Sequence, residues 1–186
     1  MRAIRLFCIL TLTTSMLYAQ GFGDLDDHLG DGGLSDAAGN NNRIELVPTA
    51  ERDIVKTYDD GFEEVVRVHA KKILPGEEII YTIAYTNLGS DPAEDVVITC
   101  PIPARMHYRN LSAEKEGLEL LFSVDNGATF DHPESLIVVD KNGKRVLART
   151  KDFTHIKWKI KDTLPPGSFG KVSFKASLTK PPLDVP

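Results

Sequence analysis

The sequence predicts an all-β domain, a two-sheet antiparallel β-sandwich that follows an export signal and a Gly/Asp-rich leader. Three observations predict it. Short apolar/polar alternations of period two recur from Arg43 onward. Turn-forming clusters separate them about every 8–12 residues, as in sandwiches of seven or more short strands. No stretch of a dozen residues carries a helical 3.6-residue apolar period.

Taken in order, the first element lies outside the expected fold. Met1-Arg2-Ala3-Ile4-Arg5 carries two positive charges, Leu6 to Leu17 is apolar or small-polar, and Leu17-Tyr18-Ala19 offers a small residue at a cut. That layout is a secretory signal peptide over 1–19. Its apolar run of about a dozen residues is shorter than the roughly 20 that span a bilayer. Cys8 lies inside the run, not at its end after small residues, which argues against a lipoprotein site. Cleavage removes Arg2 and Arg5 and moves the formal net charge from −5 to −7. An acidic exported chain has no general attraction for nucleic acid or anionic lipid. The mature form carries no second apolar run to act as a transmembrane anchor.

Residues 20–42 are rich in Gly, Asp and Asn, with Gly30-Asp31-Gly32-Gly33 and Gly39-Asn40-Asn41-Asn42 the densest parts. Such a segment buries little and loses much backbone entropy on ordering, so it reads as a disordered linker. The sandwich domain then occupies 43–186. Its expected strands begin with Val65 to Ile73, before Pro75-Gly76. Ile79, Tyr81, Ile83 and Tyr85 share one face until Asn87-Leu88-Gly89-Ser90-Asp91-Pro92 breaks the strand. Val96, Ile98 and Cys100 form the next inward row, ended by Pro101 and Pro103. Leu118, Leu120, Phe122 and Val124 follow, closed by Asp125-Asn126-Gly127. Leu136 to Asp140 and Lys144 to Ala148 flank Lys141-Asn142-Gly143, a hairpin signal. The clearest alternations are Ile156 to Lys161 and Lys171 to Leu178, joined by Leu164-Pro165-Pro166-Gly167.

Several of these segments together resemble the conserved bacterial repeat domain known as domain of unknown function eleven. The matching elements are Val68, Pro75-Gly76-Glu77, Tyr81-Thr82-Ile83-Ala84-Tyr85-Thr86-Asn87-Leu88-Gly89-Ser90 and Ala93-Glu94-Asp95-Val96-Val97-Ile98-Thr99. Pro101-Ile102-Pro103, Trp158 and Leu164-Pro165-Pro166-Gly167 complete the ordered set, which covers roughly residues 65–180. The resemblance implies an immunoglobulin-like sandwich in surface or cell-envelope proteins, with no catalytic residues. Where this chain has Cys100 the family pattern usually has an aspartate, and the chain carries one copy where many relatives carry several.

Candidate chemistry is sparse. Ser123-Val124-Asp125-Asn126-Gly127-Ala128-Thr129-Phe130 matches the aspartate-box pattern S-x-D-x-G-x-T-F, whose Asp and Gly build a hairpin turn. With Cys8 removed, Cys100 is the only cysteine, either a buried inert thiol or an exposed one forming an intermolecular disulfide. Lys157, Lys159, Lys161, Lys171 and Lys175 share an outer face if the last two strands pair as a hairpin. Such a patch either holds an acidic polysaccharide or partner, or guards exposed strands against edge-to-edge aggregation. His28, His69, His107, His132 and His155 have no paired metal-ligand spacing. Asp24, Asp26, Asp27, His28 and Asp31 form an acidic tail without the spacing of a calcium loop. No G-x-S-x-G, Walker loop, H-E-x-x-H or Cys pair occurs, so no cofactor or metal is expected.

These features lead to an exported, non-catalytic module of the periplasm or cell surface, structural or adhesive, with a protein or glycan of the envelope as partner. The alternative is a periplasmic accessory or assembly factor offering an edge strand to a protein client. A hydrolase using Glu63-Glu64 and Glu77-Glu78 is the least favoured reading, because sequence places no two of these carboxylates together.

Overall fold

A computed structural model of the chain describes residues 4–8 and 43–179. The expected leader over 20–42, with its acidic tail, and the rest of the expected signal segment over 1–19 lie outside the described residues. The described strands are β1 (Arg5–Phe7), β2 (Ile44–Thr57), β3 (Glu63–His69), β4 (Glu78–Asn87), β5 (Val97–Pro101) and β6 (Met106–Tyr108). They continue with β7 (Leu118–Ser123), β8 (Ile137–Val139), β9 (Arg145–Leu147), β10 (His155–Ile160) and β11 (Phe169–Leu178). The fold is all-β, and two sheets form its body, ordered β1-β5-β10-β7 and β3-β2-β4-β11-β6, with β8-β9 as a small separate ribbon.

Period-two alternation explains which side chains meet. Ile156, Trp158 and Ile160 of β10 face inward and their lysine neighbours outward. Val172, Phe174 and Ala176 of β11 do the same in the opposite sheet, against Ile79, Tyr81 and Ile83 of β4. The two inner faces interdigitate. Trp158 lies 6.2 Å from Phe174 across the sandwich, and Tyr108 lies 5.0 Å from Phe122. Phe174 stacks on Tyr81 within its own sheet at 4.9 Å. One continuous apolar cluster results.

Two turns carry much of the topology. Leu164-Pro165-Pro166-Gly167 does not close a hairpin: it carries the chain from β10 in one sheet to β11 in the other. The crossing is fastened by Asn87, which is fully buried. Its Nδ2 donates to the carbonyls of Asp91 and Leu164, each at 2.9 Å, and its Oδ1 accepts from the Gly89 amide at 2.9 Å. The Gly167 amide completes the knot by donating to the Asn87 carbonyl at 2.8 Å. Lys141-Asn142-Gly143 does turn β8 into β9, as a three-residue loop in which Gly143 has φ +78° and Asp140 Oδ1 accepts from the Asn142 and Lys144 amides.

The strand over Val65 to Ile73 is displaced to Glu63–His69, because Lys71 already turns back onto the His69 carbonyl. Strands β1, β6 and β2 have no counterpart in the sequence reading, and the longest of them is β2. Its apolar residues serve two partners in succession: Ile44–Glu51 pairs with β4, and Glu51–Thr57 pairs with β3. A strand that changes partner and carries Pro48 shows no single clean alternation.

Candidate interaction surfaces

The lysine patch is the first expectation the structure corrects. Strands β10 and β11 lie in different sheets, so Lys157 and Lys159 sit on one outer face and Lys171 and Lys175 on the other. The five lysines do not form one patch. Several are also engaged. Lys159 bridges Glu119 at 3.3 Å, Lys175 bridges Glu78 at 2.9 Å, and the Lys157 ammonium lies 3.4 Å from the Phe130 ring centroid. Lys161, just past β10, is exposed.

Cys100 follows the buried-thiol reading. It is fully buried in β5, beneath the segment 4–8. The side chain against it is Cys8, itself buried. Its hydrogen bond with Cys8, together with burial, pushes the Cys100 thiol well above the ordinary range. The segment expected to lie outside the fold therefore supplies a strand. Arg5, Leu6 and Phe7 run parallel to β5 opposite Val97, Ile98 and Thr99. The Val97 amide donates to the Ile4 carbonyl at 2.9 Å, and the Cys8 amide to the Thr99 carbonyl at 2.8 Å. Alternation in Ile4-Arg5-Leu6-Phe7-Cys8 is the physical reason, since it turns Ile4, Leu6 and Cys8 toward the core.

The aspartate-box residues form a turn, as their chemistry predicts. Ser123 Oγ accepts from the amides of Asp125 and Gly127, and Asp125 Oδ1 accepts from the Thr129 amide at 2.9 Å. Hydrogen bonds from the Thr129 hydroxyl and amide, then from Ser123, hold the Asp125 carboxyl far below the usual carboxylate range. The carboxylates of the hydrolase reading are dispersed and occupied. Glu64 accepts from the Tyr58 hydroxyl at 2.9 Å, Glu77 pairs with Arg52 at 2.7 Å, and Glu78 pairs with Lys175 and Arg109. Among the described residues, no group of three or more His, Cys, Asp or Glu is placed to hold a metal ion, and no helix is long and apolar enough to cross a membrane.

The surface that sequence reading missed is the β2–β3 ribbon. Beyond Glu51, β2 has left β4 and pairs with β3 alone. At the tip the Tyr58 amide donates to the Phe62 carbonyl and the Gly61 amide to the Tyr58 carbonyl, both at 2.9 Å, with Gly61 at φ +83°. One ribbon face is clamped by Arg67 and Asp53, joined through two hydrogen bonds of 2.8 and 3.1 Å. The Arg67 guanidinium holds the Asp53 carboxyl below its ordinary range. Directly beside that pair, Val55 and Val65 face each other across the ribbon, 61% and 67% exposed, and Phe62 at the tip is 60% exposed. The signal in the sequence was Val55 and Val65 flanking the Asp59-Asp60-Gly61 turn, which is legible only once β2 is recognised as a strand.

Compared with family models, curated proteins and solved structures, the chain finds no match.

Proposed function

We propose that this protein is an exported cell-envelope module, structural or adhesive, that binds a protein or glycan partner without catalysing a reaction on it. The observation that carries the reading is the β2–β3 ribbon, which leaves its sheet with Val55, Val65 and Phe62 largely in water. A two-stranded ribbon is marginally stable alone, and the Val55–Val65 pair on one face, with Phe62 beside Tyr58 at the tip, leaves apolar surface in solvent that favours a covering partner. Burying each of them contributes roughly 1.5–3 kcal/mol. The Asp53–Arg67 pair beside them supplies a polar rim that fixes orientation. The signal-peptide layout of 1–19 supports export, and the likeness to domain of unknown function eleven supports an envelope setting.

The accessory-factor reading has its own supporting observation. Among the described residues, the outer edge of strand β5 is paired by the five-residue segment 4–8 alone. A protein that loses that segment on export offers a strand edge to a client.

The test is fractionation of native cells followed by capture from the envelope fraction, using the wild-type protein and a Val55→Asp/Val65→Asp variant. The reading predicts that wild type resides with the envelope and retains a defined component that the folded variant loses. Equal retention by both would move the interface away from the ribbon, and residence in the cytosol would refute the export reading.

A further inference from the structure

We propose that the outer edge of β5 is a strand-acceptor site, filled in the exported protein by an extended segment of another protein chain. That segment carries apolar side chains at alternate positions and an acidic residue between the first two. The inference rests on the export reading, because removal of residues 1–19 is what opens the edge.

Residues 4–8 show what the edge accepts. They bind by main-chain hydrogen bonds at both ends, from Val97 to Ile4 and from Cys8 to Thr99. Their inward side chains complete rows that cross the whole sheet. Leu6 aligns with Ile98, Trp158 and Leu120. Cys8 meets Cys100, which aligns with Ile156 and Phe122. The last inward position is buried and holds a cysteine, whereas the first two hold branched aliphatic side chains. Once the segment is gone, Ile98 and Cys100, both fully buried beside it, lose their cover. The Val97 amide and Thr99 carbonyl lose their partners as well. An edge with unpaired backbone and an uncovered apolar row is a template for strand addition.

The outer face specifies charge. Lys159, which also bridges Glu119 at 3.3 Å, is the β10 partner of Val97, and Arg5 stands opposite Val97 on the other side, so two cations flank one β5 residue, one of them already paired with a carboxylate. Lys157 follows at Thr99. A donor with a carboxylate in place of Arg5 complements this face, where Arg5 itself opposes it. Within residues 1–186 the sequence outside the strands has no alternation of this kind. Residues 20–42 hold no three apolar residues at alternate positions, and three of the last six residues are prolines that lack amide hydrogens. The other alternating segments are already paired strands, in the two main sheets or in the β8–β9 ribbon. The occupant that fits is a segment of a different protein.

The experiment secretes the full chain from a bacterial host and reads its amino terminus by intact mass. The processed protein is then titrated with synthetic peptides spanning residues 2–9: the natural sequence, the Arg5→Asp form and the Leu6→Asp form. The proposal predicts one-to-one binding with a raised thermal midpoint, at least several-fold tighter binding of the Arg5→Asp peptide, and none of the Leu6→Asp peptide. A Val97→Pro protein, which loses the edge amide but no bond to β10, should melt near wild type without peptide and fail to bind it. A processed protein that binds none of the peptides overturns the acceptor site while leaving export intact. A protein that keeps residues 1–19 overturns the export reading and closes the edge with its own strand. A dimer that the peptide dissociates would place a second copy in the groove and overturn the foreign donor.

Discussion

The indole nitrogen of Trp158 donates a hydrogen bond of 3.1 Å to the carbonyl of Ala113, inside the sandwich. Both residues are buried, and the bond ties the loop between β6 and β7 to the centre of β10. Replacing Trp158 with Phe leaves that carbonyl unpaired and a void where the second ring stood. The change should cost about 2–4 kcal/mol, combining an unsatisfied acceptor with a partial cavity. Urea denaturation followed by far-UV circular dichroism measures it, and a loss under 1 kcal/mol would mean the loop is held by something else.

Asn87 gives a sharper chemical test, because its amide donates to two carbonyls at once. In Asn87→Asp a carboxylate would face both oxygens in a site without solvent, which raises its folded-state pKa above the ordinary aspartate value. The sign follows from linkage. The variant's stability is retained below about pH 4, the unfolded value, and lost as pH rises through the folded one. Thermal midpoints across pH 3–8 should therefore diverge from wild type as pH increases. A constant offset at every pH would contradict the assignment of the amide as donor.

Gly170 lies opposite Tyr85 in the β11–β4 ladder, and the phenol ring crosses directly over it. A methyl group there would collide with the Tyr85 hydroxyl and ring. Gly170→Ala should cost roughly 1–3 kcal/mol, as overpacking does. Combining it with Tyr85→Ala should cost less than the sum of the two single changes, because the clash is gone. Strict additivity in that double-mutant cycle would remove the contact from the account.

The Asp125 turn predicts resistance to acid. Its carboxyl is held far below the usual range by bonds from Thr129 and Ser123, so the ionised form persists in the folded protein. Its contribution is present above the ordinary aspartate pKa and is lost only as pH falls through the lower folded value. Proton NMR of the Thr129 amide should show a downfield shift that survives to pH 3 in wild type and is absent in Asp125→Ala. Titration of that shift with a midpoint near 4 would contradict the bonding described.

The legible parts of this chain were those where one face is buried throughout. Strands β10 and β11 alternate without fault because each inward residue meets the opposite sheet, and the Asp125 turn is readable because its bonds are local. What period-two patterns do not encode is which sheet a strand joins. The lysines of β10 and β11 were expected on one face because a Pro-Pro-Gly turn looks the same in a hairpin and in a crossover. Contacts from distant residues hold the crossover, among them the bond from Asn87 to Leu164, 77 residues away, and the bridge between Ala93 and Leu164. Strand β2 was invisible because it divides its pairing between β4 and β3. The segment 4–8 was read by its charge and length as an export signal, and the same apolar alternation lets it lie along β5. Cys100 looked solitary in sequence because its neighbour Cys8 was assigned to a removed segment.

The most direct test of the central claim places a photo-crosslinking amino acid at Val65, on the ribbon, in the protein expressed in its native cells. A second variant carries it at Lys141, in the exposed β8–β9 turn. If the ribbon docks on an envelope partner, illumination should yield one discrete adduct from position 65, recovered with the envelope fraction, and none from position 141. The same adducts from both positions, or none from position 65 in a folded exported protein, would contradict the account.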